Sequence, residues 1–115
     1  MKIKRLYTRL PKDHGLAREE FLRLTERAMR FFASLYGASA LCDDAPPDGE
    51  LPFTAPLSLD DESPISELFS EAIVSYVEFL ASGERSAYEL AIASAEGAWR
   101  VLWRRRAKGK RLRQR

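Results

Sequence analysis

Three stretches of this chain set their apolar residues at steps of three and four, punctuated by Gly37 and Gly83. That spacing marks amphipathic helices that each bury one face. In the first, over 16–36, Phe21, Leu24, Ala28, Phe31, Phe32 and Leu35 share a stripe, with Arg18, Arg23, Arg27 and Arg30 largely off it. Gly37 is placed to end that helix in a left-handed conformation. In the second, Ile65, Leu68, Phe69, Ala72, Ile73, Tyr76, Val77 and Leu80 form a wide apolar face. Ser63 is placed to accept a bond from the first free N–H groups, and Pro64 suits the first helical position. Asp60, Asp61 and Glu62 would then lie near the positive end of the helix dipole, and Gly83 would stop the helix. The third, from near Glu84 to about Arg106, turns Tyr88, Ala91, Ile92, Ala95, Trp99 and Leu102 inward. Its Ala91, Ala95 and Ala98 are small enough to admit a neighbouring helix closely. Only Ser82-Gly83 separates the second helix from the third, so the two are expected to form an antiparallel hairpin.

The remaining segments are less regular. Residues 1–15 read as a basic arm, broken by Leu10-Pro11 and His14-Gly15. Ile3, Leu6, Tyr7 and Leu10 have helical spacing, enough for a turn or two docked on the core. Residues 38–62 form a long Pro-rich loop with a turn cluster at Ala45-Pro46-Pro47-Asp48-Gly49. In Leu51-Pro52-Phe53-Thr54-Ala55-Pro56-Leu57 the prolines lack the donor a central strand needs, so an extended or edge segment is expected. A loop of this length in a compact domain is usually functional or mobile. The fold class expected is mainly α: a small helical bundle with a C-terminal helical hairpin, a long Pro-rich irregular loop and a basic tail. Residues 1–106 form the domain and 107–115 the tail, which has no apolar pattern and should be free or ordered only by a partner. At 115 residues, such a chain buries roughly two-thirds of its unfolded surface, enough for a modest core.

Several classes of chemistry are unsupported. No apolar run approaches the ~20 residues that span a bilayer, and the basic start has no apolar stretch behind it, so neither a membrane span nor a secretory signal is expected. Cys42 is the lone cysteine, which rules out an internal disulfide and suits a reducing compartment. His14 and Cys42 lie far apart, without zinc spacing. Asp43-Asp44 and Asp60-Asp61-Glu62 lack the alternation of a calcium loop and read as solvated loop acids and helix-end charges. There is no phosphate loop and no nucleophile elbow, and any His-dependent nucleophile would have to use His14, which nothing nearby activates. No catalytic residue, metal or cofactor is expected; the chain reads as a non-enzyme.

Charge distribution carries the functional signal. From Arg100 onward there are nine basic residues and no acid, whereas residues 1–99 hold ten basic and seventeen acidic groups, a net charge of −7. Such asymmetry concerns partners more than fold. Trp99 and Trp103 lie one helical turn apart beside Arg100 and Arg104, and arginine next to aromatics suits stacking and phosphate contact. Trp99 alone reads as core. Trp103, Arg104, Arg105, Arg106, Lys108, Lys110, Arg111, Arg113 and Arg115 are the candidate partner-binding residues of the tail, and Leu51, Phe53 and Leu57 those of the loop. The tail could bind nucleic acid through salt-sensitive phosphate contacts, dock into an acidic groove on a protein, or lie on an anionic membrane.

The second half resembles the small head–tail connector (adaptor) proteins of tailed bacteriophages. The resemblance rests on Ser63-Pro64-Ile65-Ser66-Glu67-Leu68-Phe69-Ser70-Glu71-Ala72-Ile73-Val74-Ser75-Tyr76, a proline-started helix with an Ala-apolar-apolar-x-Tyr step. Phe79-Leu80-Ala81-Ser82-Gly83-Glu84 and a long helix ending in basic residues follow it. The likeness spans 52–106. It implies a structural virion assembly protein docking as a ring on the portal and joining head to tail. The implied partners are the portal protein, tail or stopper proteins and neighbouring copies, with non-specific DNA contact at most and no membrane. The implied location is the virion's head–tail junction, after synthesis in the bacterial host cytoplasm. The acidic body and basic tail would assist contact between copies, or let the tail reach an acidic portal cleft. A different class of reading, a small nucleic-acid-binding protein or regulator using the basic tail, lacks a helix-turn-helix signature. A membrane-surface reading sits poorly with the alanine-rich face of the third helix.

Overall fold

The computed structural model describes residues 1–11, 15–42 and 57–113, as backbone at 39–40 and 106–113. The elements run α1 (Ile3–Thr8), α2 (Arg18–Tyr36), α3 (Ala38–Leu41), a 3-10 turn (Glu67–Phe69), α4 (Ser70–Ser82) and α5 (Arg85–Arg113). The protein is mainly helical. No β-strand occurs among the described residues, only isolated antiparallel bridges at Lys2–Glu62 and Cys42–Ile65.

The apolar stripes meet in one core. α1 supplies Ile3 and Leu6, α2 supplies Phe21, Ala28, Met29 and Phe32, and α4 supplies Ala72, Ile73 and Val77, with Phe69 of the 3-10 turn and Ala91 and Ala95 of α5 closing it. α4 and α5 form the expected antiparallel hairpin, and α2 packs across α4. The alanines of α5 matter here: Ala91, Ala95 and Ala98 are buried and leave room for the bulkier side chains of the facing elements. Beside the core, Phe31 stacks on Tyr76 with ring centroids 4.3 Å apart, and Tyr88 meets Phe79 at 5.1 Å.

Helix ends follow their chemistry in places and depart from it in others. Gly83 closes α4 in the left-handed conformation (φ 74°, ψ 7°), its N–H donating to the Phe79 carbonyl at 2.7 Å, as glycine permits without a Cβ clash. Gly37 also takes a positive φ (90°), but its ψ of 138° is extended rather than left-handed helical, and α3 begins directly after it.

The start of the second helix differs from the expectation. Ser63 and Pro64 do not open it. The Ser63 N–H donates to the Met1 carbonyl at 2.9 Å and the Ser66 N–H to the Leu41 carbonyl at 2.9 Å, so residues 62–66 run extended between the N-terminus and α3. Ser66 is the cap, its Oγ accepting from the Leu68 N–H at 3.4 Å. Asp60, Asp61 and Glu62 therefore serve the loop rather than a helix dipole. Asp61 Oδ2 accepts from the Ser58 N–H at 2.8 Å, and Glu62 lies 3.0 Å from the Met1 amino group. The same loop satisfies the free amides that any helix start exposes: the Ile3 and Lys4 N–H groups of α1 donate to the Asp61 and Leu59 carbonyls at 3.0 and 2.9 Å.

Further differences concern single residues and the tail. Leu35, placed on the α2 stripe, is 54% exposed, because the stripe drifts off the core at the helix's last turn. Leu57, a candidate partner-binding residue of the loop, is instead buried at 5% exposure and belongs to the core cluster. Leu51 and Phe53, His14, and Asp43-Asp44 lie outside the described residues. α5 does not stop near Arg106 but continues to Arg113. Lysine, arginine and leucine are good helix formers, and positive charge at a helix C-terminus is favoured by the dipole.

Candidate functional site

The site of interest is the outer end of α5. With 29 residues the helix is roughly 43 Å long, against roughly 20 Å for the 13 residues of α4. It therefore outruns its hairpin partner. Leu102 is its last buried side chain among the described residues, and Val101 and Trp103 are 38% and 60% exposed. Arg104 and Arg105 are exposed beside them.

An aromatic ladder joins this end to the core. Tyr36 of α2 lies 6.2 Å from Phe69 and stacks on half-buried Trp99 at 5.4 Å with 26° between ring planes. Trp99 in turn lies 5.8 Å from Trp103. Burial, and next the negative charge of Glu96, raise the Tyr36 pKa above its ordinary value of 10.0, so its hydroxyl keeps its proton through neutral pH. The ladder braces the root of the projecting segment and leaves the Trp103 indole facing outward. An indole between guanidinium groups can bury apolar area while the arginines meet carboxylates or phosphates.

Of the tail residues singled out from sequence, Trp103, Arg104 and Arg105 thus share one exposed stretch of the projecting helix. Arg106, Lys108, Lys110, Arg111 and Arg113 continue along the same helix, and Arg115 lies outside the described residues. The loop residues do not join them: Leu57 is in the core.

A second feature was not legible in the sequence. Exposed Glu71 and half-buried Glu78 of α4, with the buried Val74 and Ser75 between them, line a groove of about 330 Å³ together with Leu90 of α5 and Arg9. Leu90 is 50% exposed. A neighbouring hollow of about 520 Å³ shares Glu78 and adds Glu84 at the hairpin turn. The available signal was Leu90 itself, a leucine off the α5 stripe.

Among the described residues no group of three or more His, Cys, Asp or Glu is placed to hold a metal ion, and no helix is long and apolar enough to cross a membrane. Cys42 is buried. Comparison with protein-family models, with curated proteins and with solved structures finds no match for this chain.

Proposed function

We propose that the chain is a structural virion assembly protein without catalytic activity, a head–tail connector subunit that docks as a ring on the portal of a tailed bacteriophage and joins head to tail. The observation that carries this reading is the projecting end of α5, where an exposed Trp103 stands with Arg104 and Arg105 beyond the last buried residue. A helix that leaves its bundle with an exposed aromatic and arginines along its projecting segment suits insertion into a cleft on another protein, since Trp and Arg dominate the energetics of such contacts. The virion's head–tail junction, the portal and the tail or stopper proteins belong to this proposal. A second reading is favoured by the same residues: an exposed indole beside arginines also suits bases and phosphates.

A pull-down separates the two. Tagged full-length chain and a version ending at Trp103 are used on extracts of the native source, with washes at ~0.15 M and then ~0.5 M salt, a range over which phosphate contacts weaken steeply. The connector reading expects a portal or tail protein, identified by mass spectrometry, to survive both washes with the full chain and to be lost with the shortened one. Nucleic acid as the sole partner, released at high salt, overturns it in favour of the second reading.

A further inference from the structure

We infer that the occupant of the acidic α4 groove is the α5 end of a second copy of this chain, so that copies join head to tail. This contact rests on the assembly-subunit reading above and names the surfaces through which copies meet. The groove presents Glu71 and Glu78, with Val74 and Ser75 between them on one face of α4 and the exposed Leu90 at its border. Arg9 stands at its edge as the one opposing charge among its lining residues. Glu84 adds a further carboxylate next door. The α5 end presents the complement, the exposed Trp103 indole with Arg104 and Arg105. The indole faces the exposed Leu90, and the guanidiniums face the carboxylates.

The charges that would satisfy this contact are otherwise unspent. None of the ion pairs within the described residues uses Glu71, Glu78, Arg104 or Arg105. The whole chain divides in the same sense: −7 over residues 1–99 and nine positive charges from Arg100 onward come to only +2, so head-to-tail stacking cancels in each junction what each copy carries apart.

The contact is intermolecular by geometry. Trp103 and Leu90 are thirteen positions apart on one continuous helix, roughly 20 Å along its axis, so the end of α5 cannot reach the groove of its own chain. Two different patches of one molecule that complement each other make a heterologous contact, which closes into a ring when the rotation between copies divides a full turn.

Sedimentation of two complementary variants tests this. Glu71→Lys/Glu78→Lys spoils the groove and keeps the α5 end; Trp103→Ala/Arg104→Ala/Arg105→Ala removes the end and keeps the groove. All five residues are exposed or half-buried, and matching far-UV circular dichroism and thermal midpoints establish that both variants fold. The wild-type chain is expected to form species larger than a dimer at ~0.15 M salt and to dissociate at high salt. Each variant alone is expected to be monomeric. Their equimolar mixture should give a dimer with one copy of each and nothing larger, because each copy then has a single working surface. The inference is overturned if either folded variant assembles as the wild type does, if the mixture stays monomeric, or if the wild type remains monomeric up to about 0.5 mM, where even a weak contact would register. Its failure is distinct from failure of the connector reading: self-association is read by sedimentation of the purified chain alone, whereas the connector reading stands or falls on capture of a portal or tail protein in the pull-down.

Discussion

At the level of single residues, burial explains where the apolar pattern and the molecule part company. Thr25 sits on the core side of α2, fully buried, and its hydroxyl has no hydrogen-bond partner among the described residues. An unmet buried hydroxyl carries a desolvation penalty, so Thr25→Val should raise stability by about 1 kcal/mol in urea unfolding; a loss would show that the hydroxyl is bonded in solution. Two tyrosines give the fold a pH dependence. Burial, followed by neighbouring negative charge from Glu96, raises Tyr36. Burial and Tyr88 raise Tyr76 more than Arg27 lowers it. A phenol whose folded pKa is raised is equally protonated in both states below the unfolded value of 10.0. As pH climbs past that value the unfolded chain releases its protons first, and the stability these groups confer is lost through the folded pKa. The thermal midpoint should therefore fall above about pH 10, and less steeply in Tyr36→Phe/Tyr76→Phe.

At the level of elements, glycine position separates two expectations of opposite sign. Gly97 lies inside α5 with open space where a Cβ would stand, so Gly97→Ala should stabilise by about 0.8 kcal/mol through helix propensity alone. Gly83 holds φ at +74°, so Gly83→Ala should cost about 1 kcal/mol. The fully buried Ala95 sets the distance between α5 and its neighbours, and Ala95→Leu should destabilise by about 1–3 kcal/mol through overpacking; chemical unfolding measures all three. The helices themselves were legible because core-facing residues recur with the helical period: Phe21, Leu24, Ala28 and Phe32 in α2, or Ala72, Ile73, Tyr76 and Val77 in α4. The start of α4 was not. Ser63-Pro64 has the local chemistry of a helix opening, but pairing of Ser63 with Met1 and of Ser66 with Leu41 spans distances in sequence that no local pattern encodes. Leu57 and Leu35 exchanged roles for the same reason, one drawn into the core by tertiary packing and the other left outside it.

At the level of the whole molecule, the exposed end of α5 was readable as a run of basic residues after two tryptophans, because charge asymmetry and aromatic spacing survive without a structure. The acidic groove on α4 was not, since Glu71, Glu78 and Leu90 come together only once the hairpin forms. A bundle that holds one basic helix with an exposed tryptophan away from an acidic body has the parts of a building block, as the proposed connector function requires. The direct test is immunogold labelling of intact particles from the native source, viewed by negative-stain electron microscopy with antibody raised against this chain. The account predicts gold confined to the vertex where head meets tail, on particles whose junction has been opened enough to admit antibody, and on isolated connector complexes. Particles and isolated connectors that carry no label, with the chain recovered instead in nucleic-acid-bound fractions, would contradict it.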